Sequence, residues 1–328
     1  MWKFIIRRVL LAIVIITFGS LICYGVMRVL PTSYMERVAR QRSTMPGARP
    51  YTEILAQLNA HYHMDQPILF GFLRWGWNAL RGQWGDSWFY AQSVTKKFAD
   101  VIGYSIVLNV ITLFLEMILC VPLGVLAARK QYSRTDYAVT IIALACISLP
   151  TFFLATILKF VFSIKLGWVD LYGVVGRYYE QMNAMGKFLD MAKHMVLPIV
   201  TLTFINLGGL MRFTRTNMLE ALNADYIRTA RAKGLPERRV INKHAFRNTL
   251  IPLVTYLSYL LPSLFGGSLI TETLFQIPGI GYMSYQAIVG GDIPFTMFYL
   301  TFLTALTQVS LMAADVMYAV VDPRVRVS

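Results

Sequence analysis

Long apolar runs, separated by shorter charged segments, dominate the chain. A bilayer core about 30 Å thick takes about 20 apolar residues per helical crossing, and the backbone must satisfy its own hydrogen bonds there. Six runs meet this requirement. The pattern predicts transmembrane helices at residues 9–30, 101–128, 137–158, 195–211, 250–271 and 293–314.

The first apolar run follows Lys3, Arg7 and Arg8, a charged beginning that secretory signal peptides share. The run is longer than the apolar region of a signal peptide, and no A-x-A cleavage site follows it. The stretch "SLIC", which ends at Cys23, has Ile22 where a lipoprotein processing site requires a small residue. We therefore expect this segment to remain in the protein as its first helix.

Composition and charge support an integral membrane protein. The 328 residues are 56% hydrophobic and 15% charged, with a mean hydropathy of +0.53, which excludes an ordinary soluble domain. With the N-terminus inside, the inner segments hold 17 of the 31 basic residues in 60 positions, and the outer segments hold 11 in 122. Positive charge favours the cytoplasmic side. Both termini are therefore predicted to be cytoplasmic, and topology explains the net charge of +14 without a nucleic-acid partner.

A basic segment, "DYIRTARAKGLPERRV" at residues 225–240, lies in the largest predicted cytoplasmic loop, residues 212–248. It carries the signals of a short helix: Asp225 as the N-terminal cap, Gly234 in the left-handed conformation after the last turn, and Pro236 beyond it. Ala230 is expected to keep the partner-facing side of this helix slim. The pattern leaves two interpretations open, a solvated loop helix or a plug for a cytoplasmic partner.

The second predicted span carries polar residues at helical spacing. Ser105, Asn109, Thr112 and Glu116 recur every three or four positions and share one helix face, called the polar stripe below. Polar groups are costly in lipid and usually face a cavity or a partner. The polar stripe is predicted either to line a solute pathway or to form a structural contact, for example with Asn206 on the fourth span.

The outer segment, residues 31–99, is too long for a turn and too apolar for a free linker. Within it, residues 51–89 predict two short amphipathic helices at the outer surface. Four tryptophans suit an interfacial belt; they are Trp75, Trp77, Trp84 and Trp88.

Other candidate chemistry is sparse. His61 and His63 have no third ligand nearby in the sequence and are expected to be ordinary surface residues. Asp315 is expected to pair with Arg324 or the coupling loop. Three cysteines in predicted spans offer no disulfide framework; they are Cys23, Cys120 and Cys146.

No G-x-x-x-x-G-K-[ST] phosphate loop occurs in the sequence, and "MGKF" at residues 185–188 is the nearest approach. We therefore expect this chain to bind no ATP and no other cofactor.

Three stretches resemble the membrane subunits of ABC importers for dipeptides and oligopeptides, of the B type. They are "MLEALNADYIRTARAKGLPERRVINKHAFRNTLIPLVTY" at residues 218–256, "GGSLITETLFQIPGIGY" at residues 266–282 and "DVMYAVVDPRVRVS" at residues 315–328. The resemblance implies an all-α type I ABC importer permease fold with six transmembrane helices, forming one domain over residues 1–328. It also implies an amphipathic-helix segment after the first helix.

The same resemblance implies that part of the loop is a coupling helix, which seats in a groove of an ATP-hydrolysing subunit. The general importer motif begins Glu-Ala-Ala, whereas Arg228, Thr229 and Ala230 stand here; the dipeptide branch shares this departure. The implied coupling residues are Asp225, Tyr226, Ile227, Arg228, Thr229, Ala230, Arg231, Ala232, Lys233, Gly234 and Leu235.

The implied partners are a second permease chain in a heterodimer, two ATP-binding subunits that use ATP and Mg²⁺, and an extracytoplasmic solute-binding protein. The implied location is the inner membrane of a prokaryotic cell. "MDQPILFGFLRW" and "GQWGDS" in the outer segment resemble the receptor-facing loop of peptide importers, while residues 33–50 depart from the family's Pro-Gly-Asp-Pro. Peptides are the expected cargo, with nickel, glutathione, opines or oligosaccharides as alternatives. A carrier that couples transport to an ion through Glu116 is the different class of protein.

Overall fold

The computed structural model describes the backbone of residues 2–30 and 33–321, and the side chains of residues 5–30 and 33–315. Helices dominate these residues, with one antiparallel hairpin in which Asp86 pairs with Ser93. The elements are α1 (Trp2–Val29), α2 (Tyr34–Ser43), α3 (Tyr51–His61), α4 (Ile68–Leu80), β1 (Asp86–Ser87), β2 (Gln92–Ser93), α5 (Val94–Arg129), α6 (Arg134–Ser148), α7 (Thr151–Leu158), α8 (Ala184–Asn223), α9 (Asp225–Ala232), α10 (Glu237–Arg239), α11 (Phe246–Gly266), α12 (Leu269–Phe275), α13 (Ile280–Val289) and α14 (Ile293–Val321).

Five of the described helices, α1, α5, α8, α11 and α14, lie in segments long and apolar enough to cross a membrane. A sixth crossing is formed by α6 together with α7 and the π-helical turn Lys159–Lys165, which continues α7. The predicted number of spans is confirmed when this pair counts as one. The observed helices extend beyond several predicted ends, most of all α8, which has 40 residues.

The prediction of one continuous third helix over residues 137–158 is wrong, because α6 and α7 are bent by 98° at their junction. Pro150 stands at that junction, and Leu149 before it has an extended backbone. Proline has no N–H group to donate to the preceding turn, and its ring disfavours helical geometry at the residue before it.

Two glycines bring α5, α6 and α8 into close contact. A Cβ atom on Gly208 of α8 would lie 2.3 Å from the carbonyl oxygen of Ala143 in α6, and one on Gly124 of α5 would lie 2.8 Å from that of Met211 in α8. Around these crossings the helices share a buried apolar cluster; its members are Cys120, Ala127, Val139, Ala143, Leu210, Met211 and Leu253. The three helices therefore pack as one block.

The start of α1 and the end of α14 lie at the same end of the molecule, because Arg8 and Asp315 form an ion pair at 2.7 Å. This contact corrects the expected partner of Asp315, which is the first helix instead of the coupling loop; Arg324 lies outside the described residues. Nearer the opposite end, Ser20 of α1 and Thr301 of α14 are joined by a hydrogen bond of 3.1 Å.

Candidate functional site

One face of α9, the short helix in the predicted coupling loop, is buried against the protein's own helices. Ile227 is fully buried and Ala230 is 6% exposed. They belong to an apolar cluster made by the ends of α5 and α8 and by the π-helical turn Val240–Ala245 that precedes α11. Its other buried members are Ala128, Met218, Ala221, Val240, Ile241 and Ala245.

This burial corrects two expectations about α9. Ala230 does not keep the partner-facing side slim, because it points inward; its small side chain permits close packing on α8 instead. Ala224 occupies the cap position, and Asp225 is the first helical residue, with an exposed carboxylate 3.7 Å from Arg228. The left-handed conformation predicted at Gly234 is confirmed by a φ of +74°.

The opposite face of α9 is exposed. It presents Tyr226, Thr229 and Ala232 together with charged side chains at both ends of the helix. Arg231 pairs with Glu237 at 2.7 Å, which fixes the end of α9 to α10. Leu235 is half-buried, whereas the outward residues are Asp225, Tyr226, Arg228, Thr229, Arg231, Ala232, Lys233 and Gly234.

A buried ion pair joins α8 to the beginning of α6 near the same end of the molecule. Arg215 donates two hydrogen bonds to Asp136, of 2.6 and 2.8 Å, and the N–H of Tyr132 donates to the same carboxylate at 2.9 Å. Bidentate pairs of this kind are strong and directional. Sequence reasoning missed this pair, although an acidic residue one turn after a Ser133 cap, opposite a basic loop, was a usable signal.

The polar stripe divides into two parts. Ser105 is fully buried and lies away from the cavity described below; it donates to Oε1 of Glu272 at 2.7 Å and accepts from the N–H of Ile280 at 2.8 Å. Glu272 of α12 also accepts from the N–H groups of Ser268 and Tyr282, at 2.9 and 2.8 Å. Glu272 was missed in the sequence, and Ser105 connects α5 to α12 and α13.

The other three residues of the polar stripe line a cavity of about 510 Å³ between α5, α6, α8 and α11. Asn206 donates to Oε1 of Glu116 at 2.7 Å, so Glu116 both contacts the fourth span and borders the cavity. Thr112 donates to the carbonyl of Leu108 in its own helix. The cavity's polar lining residues are Asn109, Thr112, Glu116, Asn206, Tyr256, Ser263 and Ser268.

Asn109 connects this cavity wall to the end of α11. Its amide nitrogen donates to the carbonyl oxygens of Ser263 and Leu264, at 3.2 and 3.3 Å, and its oxygen accepts from Ser268 at 2.8 Å. Both capacities of the amide are therefore used within the chain. Asn109 holds α5 against α11 at the cavity edge.

The outer segment forms a packed layer against α1 and α14. The two helices predicted within residues 51–89 are present as α3 and α4, and α2 occupies the part with the unexpected sequence. Arg28 of α1 donates to the carbonyls of Met64 and Gln66, at 2.7 and 2.9 Å. Trp88 packs against the rings of Tyr34 and Tyr62.

A buried carboxylate joins the hairpin to the beginning of α14. Asp292 accepts from the hydroxyl of Ser87 and from the N–H groups of Phe89 and Phe295, the last two at 3.1 and 3.2 Å. Burial raises the pKa of Asp292 above its usual range, and these hydrogen bonds oppose that rise. The hairpin therefore stands at the end of the molecule opposite to α9.

Metal and disulfide chemistry find little support in the described side chains. No group of three or more His, Cys, Asp or Glu residues there could hold a metal ion. Cys23, Cys120 and Cys146 are all free thiols.

Bundled membrane-spanning helices that enclose a polar cavity, with a short surface helix continuing from the longest of them, define the membrane component of a transport system. A family model described as "Binding-protein-dependent transport system inner membrane component" matches residues 120–327. The chain belongs to this family, and the resemblance stated from the sequence is confirmed.

Relatives match along their whole length. The chain is 32% identical over 326 residues to the oligopeptide transport system permease protein AppB of Bacillus subtilis (strain 168), covering 99% of each chain. It is 33% identical over 327 residues to the oligopeptide transport system permease protein OppB of Escherichia coli (strain K12), covering 99% of this chain and 100% of the relative. A putative peptide transport system permease protein of Brucella abortus (strain 2308) is 32% identical over 329 residues, covering 99% of each chain.

Proposed function

We propose that this chain is the permease subunit of an ATP-driven importer, and that it forms part of the pathway by which peptides cross the inner membrane of a prokaryotic cell. Relatives named for oligopeptide transport, matched from end to end, support the cargo. ATP and Mg²⁺ are used by two partner ATP-binding subunits. A second, different permease chain and an extracytoplasmic solute-binding protein complete the complex.

The exposed face of α9 is the observation that carries this proposal. An eight-residue helix is about 12 Å long, and only Ala224 separates it from the 40-residue α8. The buried face of α9 and the Asp136–Arg215 pair make it part of the helix block. A partner that moves α9 therefore moves α8, and with α8 the wall of the cavity.

The cavity beside Glu116 is the proposed pathway on this chain. Its volume of about 510 Å³ falls in the range of about 300–1,000 Å³ that is usual for small-molecule sites. Asn109, Thr112 and Glu116 remain proposed pathway residues, whereas Ser105 is left out because it is bonded elsewhere.

The two ends of the molecule have different proposed partners. The Arg8–Asp315 pair supports placing both termini at the same end as α9, and the excess of basic residues in that loop supports a cytoplasmic position for it. The α2–α4 layer and the hairpin then face outside, where they form the proposed docking surface for the solute-binding protein.

Replacing Ala232 by glutamate tests the coupling role. Ala232 is exposed, so glutamate leaves the buried face intact and alters helix propensity by only a few tenths of a kcal/mol. An unpaired charge buried in the partner's groove would cost several kcal/mol. We expect Ala232→Glu to abolish ATP-binding subunit association, or receptor-stimulated ATP hydrolysis, in the purified complex.

Arg239→Glu is the matched control, since it adds a glutamate to the same loop beyond Gly234 and Pro236. It should retain both properties. If Ala232→Glu retains bound ATP-binding subunit and stimulated hydrolysis at the wild-type level, α9 is a solvated loop helix and the coupling role is wrong.

A further inference from the structure

The cavity between α5, α6, α8 and α11 has a one-sided electrostatic character. Glu116 is its only lining residue with a formal charge; the other polar groups there are amides and hydroxyls, and the rest of the wall is apolar. A cleft with charge of one sign and low-dielectric walls concentrates ions of the opposite sign.

Glu116 keeps unused acceptor capacity. Asn206 donates to Oε1 at 2.7 Å, and within the described side chains no hydrogen bond reaches Oε2. Nor does Glu116 occur in any ion pair among those residues, where the limit is 4.0 Å between nitrogen and oxygen. This contrasts with Asp136, whose carboxylate is met by a bidentate arginine. A carboxylate away from bulk water is stabilised by a cation that reaches it.

Tyr256 adds a second group that suits a cation. It lines the same cavity and stacks on Phe213, with the ring centroids 4.8 Å apart. The face of an aromatic ring attracts ammonium and guanidinium groups. A ligand cation between Glu116 and Tyr256 would thus meet a charge and a ring, while the hydroxyl of Ser263 offers a hydrogen-bond acceptor at the rim.

We propose that this cavity selects cations, and that it receives the cargo through an ammonium or guanidinium group whose anionic partner is Glu116. The inference rests on the proposed function only in treating the cavity as part of the pathway. It adds the chemical class that the pathway favours: solutes with a free amino terminus or a basic side chain. A basic residue of the second permease chain is the competing partner for Glu116.

Charged thiol reagents of similar size test the selectivity. The three native cysteines are replaced, and Ser263→Cys reports on the cavity because Ser263 lines it and is exposed. In the assembled complex, modification rates are compared for the trimethylammonium-ethyl and sulfonato-ethyl methanethiosulfonates. Ser93→Cys, on the exposed hairpin far from Glu116, gives the reference ratio of the two rates.

The cation-to-anion ratio at Ser263→Cys should exceed the ratio at Ser93→Cys by about tenfold or more. Glu116→Gln should remove that excess, whereas Glu116→Asp should keep it, and gel filtration should show that both variants assemble. Equal ratios at the two positions would overturn the inference while leaving the pathway in place, and would indicate that the second permease chain neutralises Glu116. If neither reagent reaches Ser263→Cys in any nucleotide state, the cavity is not a pathway, and both the inference and that part of the proposed function are wrong.

Discussion

Two adjacent glycines of α8 should respond in opposite ways to the same substitution. At Gly208 a new Cβ atom would lie 2.3 Å from the carbonyl oxygen of Ala143 and 2.6 Å from a side-chain carbon of Ile147. At Gly209 the new atom would meet no heavy atom within 4 Å. Gly209→Ala is therefore a matched control for Gly208→Ala in the same turn of the same helix.

The expected difference follows from two opposing effects. Alanine in a helix is favoured over glycine by about 1 kcal/mol, which applies equally at both positions. Overpacking a close contact costs about 1–3 kcal/mol. The upper part of that range applies at Gly208, because a backbone carbonyl cannot rotate away as a side chain can. We expect Gly208→Ala to be less stable than Gly209→Ala by about 2–3 kcal/mol, with the wild type between them.

Thermal denaturation of the purified complex measures this difference. Membrane complexes often denature irreversibly, so the three proteins are heated at one scan rate in one detergent, and their apparent midpoints are compared. Activity is not the measurement, because Gly209 lines the cavity. If Gly208→Ala denatures at or above the midpoint of Gly209→Ala, α6 and α8 do not cross as closely as described.

Three further predictions concern α9, the topology and the hairpin. Ala230→Glu places a charge in the apolar cluster beneath α9 at a cost of several kcal/mol, so protease should cut this loop faster than in Ala232→Glu, even without the ATP-binding subunits; equal cleavage would contradict the buried position of Ala230. In sealed cells, an impermeant thiol reagent should label a cysteine at Ser93 but not one at Asn223, and the reverse result would invert the topology. Asp292→Asn puts an amide nitrogen against buried donors at a cost of about 1–3 kcal/mol, so the hairpin should become more sensitive to protease, and unchanged resistance would contradict that account.

The spans could be predicted from the sequence because lipid imposes a local rule on each crossing. The helix ends and the bend were less accessible: Pro150 was visible, but a proline inside an apolar run is compatible with a kinked or a broken helix. Pro198 lies within α8 and does not end it, whereas Pro150 begins a new helix. Packing against neighbouring helices decides between these outcomes, and a linear pattern does not contain it.

The candidate site shows the same division. The spacing of Asn109, Thr112 and Glu116 correctly placed them on one helix face, but their partners lie 90 or more residues away in sequence. Ser105 shares that face by spacing, yet Glu272, 167 residues further on, removes it from the cavity. The sequence likewise predicted the helical turn that ends at Gly234, whereas its buried face depended on a cluster contributed by three other elements.

Uptake by reconstituted vesicles tests the proposed function most directly. The complex of this chain, its permease partner and the ATP-binding subunits is placed in proteoliposomes, with the solute-binding protein and a labelled peptide on the side of the hairpin. ATP with Mg²⁺ is supplied on the side of α9. The peptide should accumulate against its gradient only when ATP is hydrolysed and this chain is present, and collapsing proton and sodium gradients should leave uptake unchanged. Accumulation that continues without ATP and follows an ion gradient would contradict the proposal and identify an ion-coupled carrier.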